Sequence, residues 1–124
     1  MSKTESLRAA LQSLLKTIST TVSYESVPIK TYPYLVFELE EVGKSDGKVQ
    51  YQLEINAVDN GTDSSNVEEL ADAVQELLHK YYHLDEKIQF SSYQGIRHSV
   101  KEDDPKIIRR RMLFEVQLHE LKGE

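Results

Sequence analysis

The sequence predicts an α+β fold: a single antiparallel-dominated sheet of about four strands with two helices packed on one face, in the order α-β-β-α-β-β. Three observations carry this prediction. The stretch from Tyr32 to Val42, Tyr-Pro-Tyr-Leu-Val-Phe-Glu-Leu-Glu-Glu-Val, is a proline-opened strand with the densest apolar and aromatic cluster in the chain. The stretch from Val49 to Ala57 alternates apolar and polar residues without a break. Finally, Val67, Leu70, Ala71, Val74, Leu77, Leu78 and Tyr81 form one apolar stripe at helical spacing.

The elements follow in order. Leu7, Leu11, Leu14, Leu15 and Ile18 recur at helical spacing, with Ala9 and Ala10 adding propensity, and place a first helix over about Thr4 to Ser19. The β-branched and hydroxyl run Ser19-Thr20-Thr21-Val22 favours leaving the helix, and a connector passes through Val27-Pro28. In the first strand, Pro33 holds Tyr32 extended and cannot donate to a ladder, which suits a strand's opening residues. From Tyr34 the side chains alternate, so Leu35, Phe37 and Leu39 share a buried face while Glu38 and Glu40 take the other. Gly43 to Lys48 reads as a turn whose Asp46-Gly47 pair supplies the left-handed positions of a hairpin loop. The second strand then places Val49, Tyr51, Leu53, Ile55 and Ala57 on the buried face.

Asp59-Asn60-Gly61-Thr62-Asp63 reads as a loop, and Ser65 with Glu68 as a capping box opening a second helix that runs to about Tyr82. A third strand is expected from Ile88 to Tyr93, extending toward His98, with Gly95 marking a bulge. The acidic turn Lys101 to Pro105 leads into a long strand from Ile107 to about Leu118. There Ile108, Met112, Phe114, Val116 and Leu118 share one face with Arg110, while Arg109, Arg111, Leu113, Glu115, Gln117 and His119 share the other.

With 124 residues, the whole chain from 1 to 124 reads as one domain large enough for a real core. The absence of cysteine excludes a disulfide framework and a thiolate metal site. No apolar run approaches the roughly 20 residues of a membrane span, and the opening residues are polar and amphipathic, so a soluble protein made in the cytoplasm is expected. A net charge of -6 and a pI near 5.2 argue against broad nucleic-acid binding, because neutralising phosphates needs a basic surface.

Few residues point to chemistry. His79 and His83 are four apart, but there is no His-Glu-x-x-His pattern and no third ligand at telling spacing, so solvated histidines at a helix end are expected. Asp59, Asn60 and Asp63 lack the acidic spacing of a calcium loop, and no phosphate loop or Gly-x-Ser-x-Gly turn is present. Neither catalysis nor a cofactor or metal is expected. The informative charged run is Arg109-Arg110-Arg111. Alternation sends Arg109 and Arg111 together to the uncovered face, where they either pair with Glu38, Glu40 or Glu54 or hold a neighbouring subunit through guanidinium forks. Arg110 must find its own partner. The hairpin loops carry both signs of charge, with Lys44, Asp46 and Lys48 in one and Arg97, Lys101, Glu102, Asp103, Asp104 and Lys106 in the other. Such loops fit a ring held by ion pairs between copies.

In overall layout the chain resembles the small tail terminator, or tail completion, proteins of long-tailed bacteriophages and related prophages. The resemblance rests on the amphipathic N-terminal helix, the Tyr-Pro-Tyr-Leu-Val-Phe-Glu-Leu strand at 32–39 and the alternating strand at 49–57 with its Asp-rich loop. It extends to the helix from Val67 to Val74 and the final strands around Phe90 and Arg109 to Val116. It implies a subunit that forms a homohexameric ring on the tail tube, stops tube growth and presents a surface for head-tail joining. The implied partners are further copies of this chain, the tail tube protein and the head-completion or connector protein, in a virion assembled in a bacterial cytoplasm. No membrane and no specific nucleic acid are implied. Lys44, Asp46, Lys48, Arg97, Glu102, Asp103, Asp104, Arg109 and Arg111 are the interface candidates by position. Two alternatives accompany this reading: another neck or connector subunit of the same particle, and a ferredoxin-like nucleic-acid or ligand-binding module.

Overall fold

The computed structural model describes residues 2–19, 21–26 and 31–119. The chain order is α1 (Lys3–Leu15), β1 (Val22–Tyr24), β2 (Tyr34–Ser45), β3 (Lys48–Asn60), α2 (Ser65–Leu78), β4 (Tyr81–Leu84), β5 (Gln89–Val100) and β6 (Ile107–His119). The strands form one curled six-stranded sheet in the order β1-β2-β3-β6-β5-β4. β1 runs parallel to β2 and every other pairing is antiparallel. The expected antiparallel-dominated sheet of about four strands is therefore corrected to a mixed sheet of six.

Both added strands are short and lie where the sequence signal favoured helix or connector. β1 pairs only Val22, Ser23 and Tyr24 with β2, too few residues to show a period. β4 falls where Tyr81 continued the helical stripe of α2. The helix stops at Leu78 instead, with His79 extended and Lys80 at φ 55°, a left-handed turn that redirects the chain into Tyr81-Tyr82-His83-Leu84. Aromatic residues suit a pleated surface, and here tertiary pairing overrides the helical spacing. The connector read through Val27-Pro28 lies outside the described residues.

The buried face follows the alternation of the long strands. Leu35 and Phe37 on β2, Val49, Tyr51, Leu53, Ile55 and Ala57 on β3, Phe90 on β5, and Met112, Phe114, Val116 and Leu118 on β6 form one core. Leu7, Leu11 and Leu15 of α1 and Val67, Leu70, Ala71, Val74 and Leu78 of α2 cover it from one side. α1 is further anchored by the Thr4 hydroxyl against the Tyr51 hydroxyl at 2.6 Å and by the Arg8 guanidinium 4.4 Å above the Tyr24 ring. Both helices thus cover the same face, as expected.

Several boundaries differ from the sequence expectation. α1 ends at Leu15 rather than near Ser19, and its Ser2 and Glu5 form the capping box that was expected at α2. In α2 the N-cap is Ser64, without a side-chain bond, and Asp63 Oδ1 accepts from the Ser65 amide at 2.9 Å and its hydroxyl at 2.7 Å. Glu68 is thereby free for other work. Asp59 and Asn60 belong to β3 rather than to a loop. β2 continues through Ser45, so only Asp46 and Gly47 form the hairpin turn, with Gly47 at φ 71°. β5 has its expected bulge: the register against β6 shifts between Gln94 and Arg97.

Gly95 sits in that bulge because a Cβ there would lie 2.8 Å from the Leu113 carbonyl oxygen, a backbone atom that cannot swing aside. Gly43, in the β2 irregularity, has nothing within 4 Å of the corresponding point. In urea denaturation Gly95→Ala should therefore cost about 1–3 kcal/mol as an overpacked site, whereas Gly43→Ala should stay within about 0.5 kcal/mol of the parent. Equal effects at the two positions would contradict this account of the bulge.

Candidate functional site

Alternation along β6 sends its three consecutive arginines to both faces, and each finds a carboxylate. Arg110 turns under α2, where its Nε donates to Glu68 Oε1 at 2.9 Å. Arg97 reaches the same carboxylate through Nη2 at 2.8 Å, while its Nη1 donates to Asp72 Oδ1 at 2.6 Å and Gln75 Oε1 at 2.7 Å. Arg97 arrives there because of the bulge. Without the extra residue it would share the open face with Tyr93, but the shift pairs it with Met112 and turns it beneath the helix. The Arg97 hydrogen bond, opposed by partial burial and supported by Arg110, holds the Glu68 carboxyl below its ordinary range.

Arg109 and Arg111 project from the uncovered face, as alternation requires. Arg109 Nε donates to Glu102 Oε1 at 2.5 Å, and Arg111 stands 3.5 Å from Glu54, which also accepts from Asn56 Nδ2 at 2.9 Å. Glu54, Glu102 and Glu68 are thus the acids that meet the triplet, and of the expected partners Glu38, Glu40 and Glu54 only Glu54 is used. Tyr34, beside Arg109 and Glu102, has its hydroxyl pushed above its usual range by burial. Glu38 lies directly opposite Glu54, a like-charge pairing that weakens a sheet. Glu38, Glu40, Gln52 and Glu54 line a shallow groove on this face.

A second groove of about 290 Å³ lies beside the first, lined by Val42, Gln50, Gln52, Gly95, Ile96 and Leu113. Its apolar rim belongs to a wider pattern. Val42, Tyr82, Leu84, Tyr93 and Ile96 are large apolar residues each more than half exposed, and all stand on β2, β4 or β5.

The nine interface candidates do not converge. Lys44, Asp46 and Lys48 are exposed at the β2–β3 tip, and Glu102, Asp103 and Asp104 lie in the β5–β6 loop. The register puts these tips at opposite ends of the sheet, roughly 40 Å apart at about 3.3 Å per residue along β3. Arg109 and Arg111 lie between them on the open face, and Arg97 lies under α2. Sequence reasoning missed Glu68, Asp72 and Gln75 as partners because their helical positions signalled only a cap and a solvated face. It also missed the exposed apolar flank residues: Gly43 and Gly95 stand at the irregularities beside Val42 and Ile96, and nothing in the sequence marks Tyr82 and Leu84.

His79 and His83 make structural contacts. His79 Nδ1 accepts from the Gln94 amide at 3.2 Å, and His83 stacks on Phe90 with ring centres 4.9 Å apart while its Nε2 meets Asp85 Oδ2 at 2.7 Å. His83 is therefore a half-buried strand residue, not a solvated residue at a helix end. Among the described residues no group of three or more His, Asp or Glu is placed to hold a metal, and no helix is long and apolar enough to cross a membrane. His98 and His119 make no ion pair with an acid among the described residues.

What this architecture shares with other proteins is visible in structure rather than sequence. No protein-family model matches the chain, and no curated protein matches it in sequence. One similar solved chain belongs to the virion of a native gene transfer agent particle. It superposes with a TM-score of 0.65 at 14% identity, over 94% of this chain and 91% of that one. A second solved chain superposes with a TM-score of 0.70 at 13% identity, over 99% of both chains. This chain therefore has, over nearly its full length, the fold of a virion-particle component.

Two measurements probe the polar contacts. Glu68→Gln leaves two partly buried guanidinium groups without their shared carboxylate and should cost about 1–3 kcal/mol in denaturation, while Asp72→Asn, at a far more exposed acid, should cost less than about 1 kcal/mol. The Asp85 carboxyl is lowered from 3.8 to about 2, first by its hydrogen bond with His83 and then by the Ile88 and Lys87 amides. Because its folded value lies below its unfolded one, its stabilisation is full above the unfolded value and is lost as pH falls toward about 2. An NMR titration should place the Asp85 midpoint near 2, and His83→Ala should move it back toward 3.8.

Proposed function

We propose that this chain is a structural subunit of a phage-type virion that forms a ring on the end of the tail tube, stops its elongation and provides the surface for head-tail joining. The observation that carries this reading is the near-complete superposition on a chain of a gene transfer agent virion. The resemblance in layout to tail terminators narrows it to the tube end. The role is binding without catalysis or cofactor. A growing tube end exposes subunit surface, the ring occupies it, and the far side of the ring does not template another tube subunit.

The geometry suits such a spacer. The two charged hairpin ends, with Lys44, Asp46 and Lys48 at one and Glu102, Asp103 and Asp104 at the other, lie at opposite ends of the sheet and can meet different partners. One meets the tail tube protein and the other the head-completion or connector protein. On the face away from the helices Glu38, Glu40, Glu54 and Glu115 outnumber Arg109 and Arg111, and the net charge is -6, so a lumen lined by this face passes DNA without holding it. The ring is a homohexamer at the head-proximal end of the tail, assembled in the cytoplasm of a bacterial host.

Deleting the gene from the particle that encodes it should give tails longer than the normal length distribution, with heads left unjoined, by electron microscopy. Supplying the chain in trans should restore both. Normal tail lengths with unjoined heads would point instead to a neck or connector subunit, and unaltered particles would sink both readings.

A further inference from the structure

The two flanks of the sheet are stepped. β1 covers only Leu35 to Phe37 of β2, so the outer edge of β2 from Glu38 to Ser45 has no neighbouring strand among the described residues. β4 covers only Gln89 to Ser92 of β5, which leaves Tyr93 to Val100 without a neighbouring strand among the described residues on the other flank, the Gln94 amide being met by the His79 side chain. The shared register relates the two steps. The open part of β2 lies level with β3 residues 48–54, and β4 lies level with β3 residues 48–51 through β5 and β6. The open part of β5 extends over the level of β3 residues 55–58, and β1 lies level with residues 55–57. Each stub has the height of the notch on the opposite flank.

We infer that the sheet continues from copy to copy: β4 of one copy fills the notch beside β2 of the next, and β1 of that next copy fills the notch beside β5 of the first. This is the joint of the proposed ring and rests on that reading. Strand directions permit it. Three antiparallel steps separate β2 from β5, so they run oppositely, β1 meets the neighbouring β5 antiparallel, and β4 meets the neighbouring β2 parallel. A rotation about an axis along the strands carries one flank onto the other, the head-to-tail operation that closes into a ring.

Backbone and side chains fit the same contact. The Leu35 amide donates to Thr21 and the Phe37 carbonyl accepts from Glu25, so the odd positions of β2 face outward and Leu39 and Glu41 continue that series into the open edge. Val42, between Glu41 opposite Tyr51 and Gly43 opposite Gln50, comes level with Tyr82 of the neighbouring β4, which lies level with Gln50. Both are exposed apolar residues on the open face. Lys80, immediately before β4, comes level with Glu40, giving an opposite-charge pair at the margin. Short edge strands and bulges ordinarily blunt a sheet against self-pairing, but here the large exposed apolar side chains stand on these same flanks.

The chain has no cysteine, so introduced thiols report the contact directly. Val42→Cys and Tyr82→Cys chains would be purified separately, mixed and oxidised at concentrations where light scattering shows the parent assembled. The mixture should give a disulfide-linked dimer that neither variant gives alone, and amides 39–45 of the parent should gain hydrogen-exchange protection on assembly. Lys80→Glu should weaken assembly at low salt, and combining it with Glu40→Lys should restore it. Self-linking of either single variant, or assembly without protection at 39–45, overturns the joint while leaving the ring and its tail-length test standing. A parent that stays monomeric at every concentration also overturns the joint, and the tail-length result then judges the terminator reading by itself.

Discussion

A strand presents consecutive side chains to opposite faces, and three arginines in a row on β6 oblige one of them to enter the side covered by helices. A guanidinium there is tolerable only with a partner. Glu68 of α2 supplies it, and the same carboxylate receives Arg97 because the β5 bulge turns that residue inward. α2 is therefore held on the sheet by two kinds of contact. Its apolar stripe supplies non-directional burial, and the Glu68, Asp72 and Gln75 side chains fix its height and rotation against β5 and β6. The bulge at Gly95 is a working part of this arrangement, because without it the inner arginine would be Arg110 alone.

One-sided burial also shapes the other face. With both helices on one side, the sheet leaves Glu38, Glu40 and Glu115 exposed on the face away from them, while at the other end of that face Tyr34, Asn56 and Val58 are buried beside Arg109, Arg111 and Glu102. The Arg109–Glu102 and Arg111–Glu54 pairs on this face are partly buried, whereas the Glu38–Glu54 juxtaposition opposes stability. Along the flanks, exposed aromatic and aliphatic side chains stand beside strand edges that have no neighbouring strand among the described residues.

The likeness to a virion-particle chain at 14% identity over nearly the whole length is physically intelligible. Such a fold needs apolar side chains at alternate strand positions and along one helical stripe, and many apolar combinations of suitable volume satisfy that need. Layout therefore outlasts identity. The terminator resemblance was carried by layout for the same reason, by the order of elements and their faces rather than by a catalytic or ligand motif.

The four long strands, both helices, the shared core face, the Asp46-Gly47 turn and the Gly95 bulge were legible in the sequence, because each rests on local periodicity or on a turn residue's backbone preference. So was the division of Arg109 and Arg111 from Arg110. Only the tertiary structure decided the rest. Three-residue β1 is too short to carry a period. β4 continued the helical spacing of α2 through Tyr81 until a left-handed Lys80 broke it. Glu68 looked like a cap from local spacing, and its pairing with arginines 29 and 42 positions away required the sheet to bring them together. The charged hairpin tips look equivalent along the chain, and it is strand order and register that send them to opposite ends of the sheet. Local spacing determines which face a residue takes, while long-range pairing determines what it meets there.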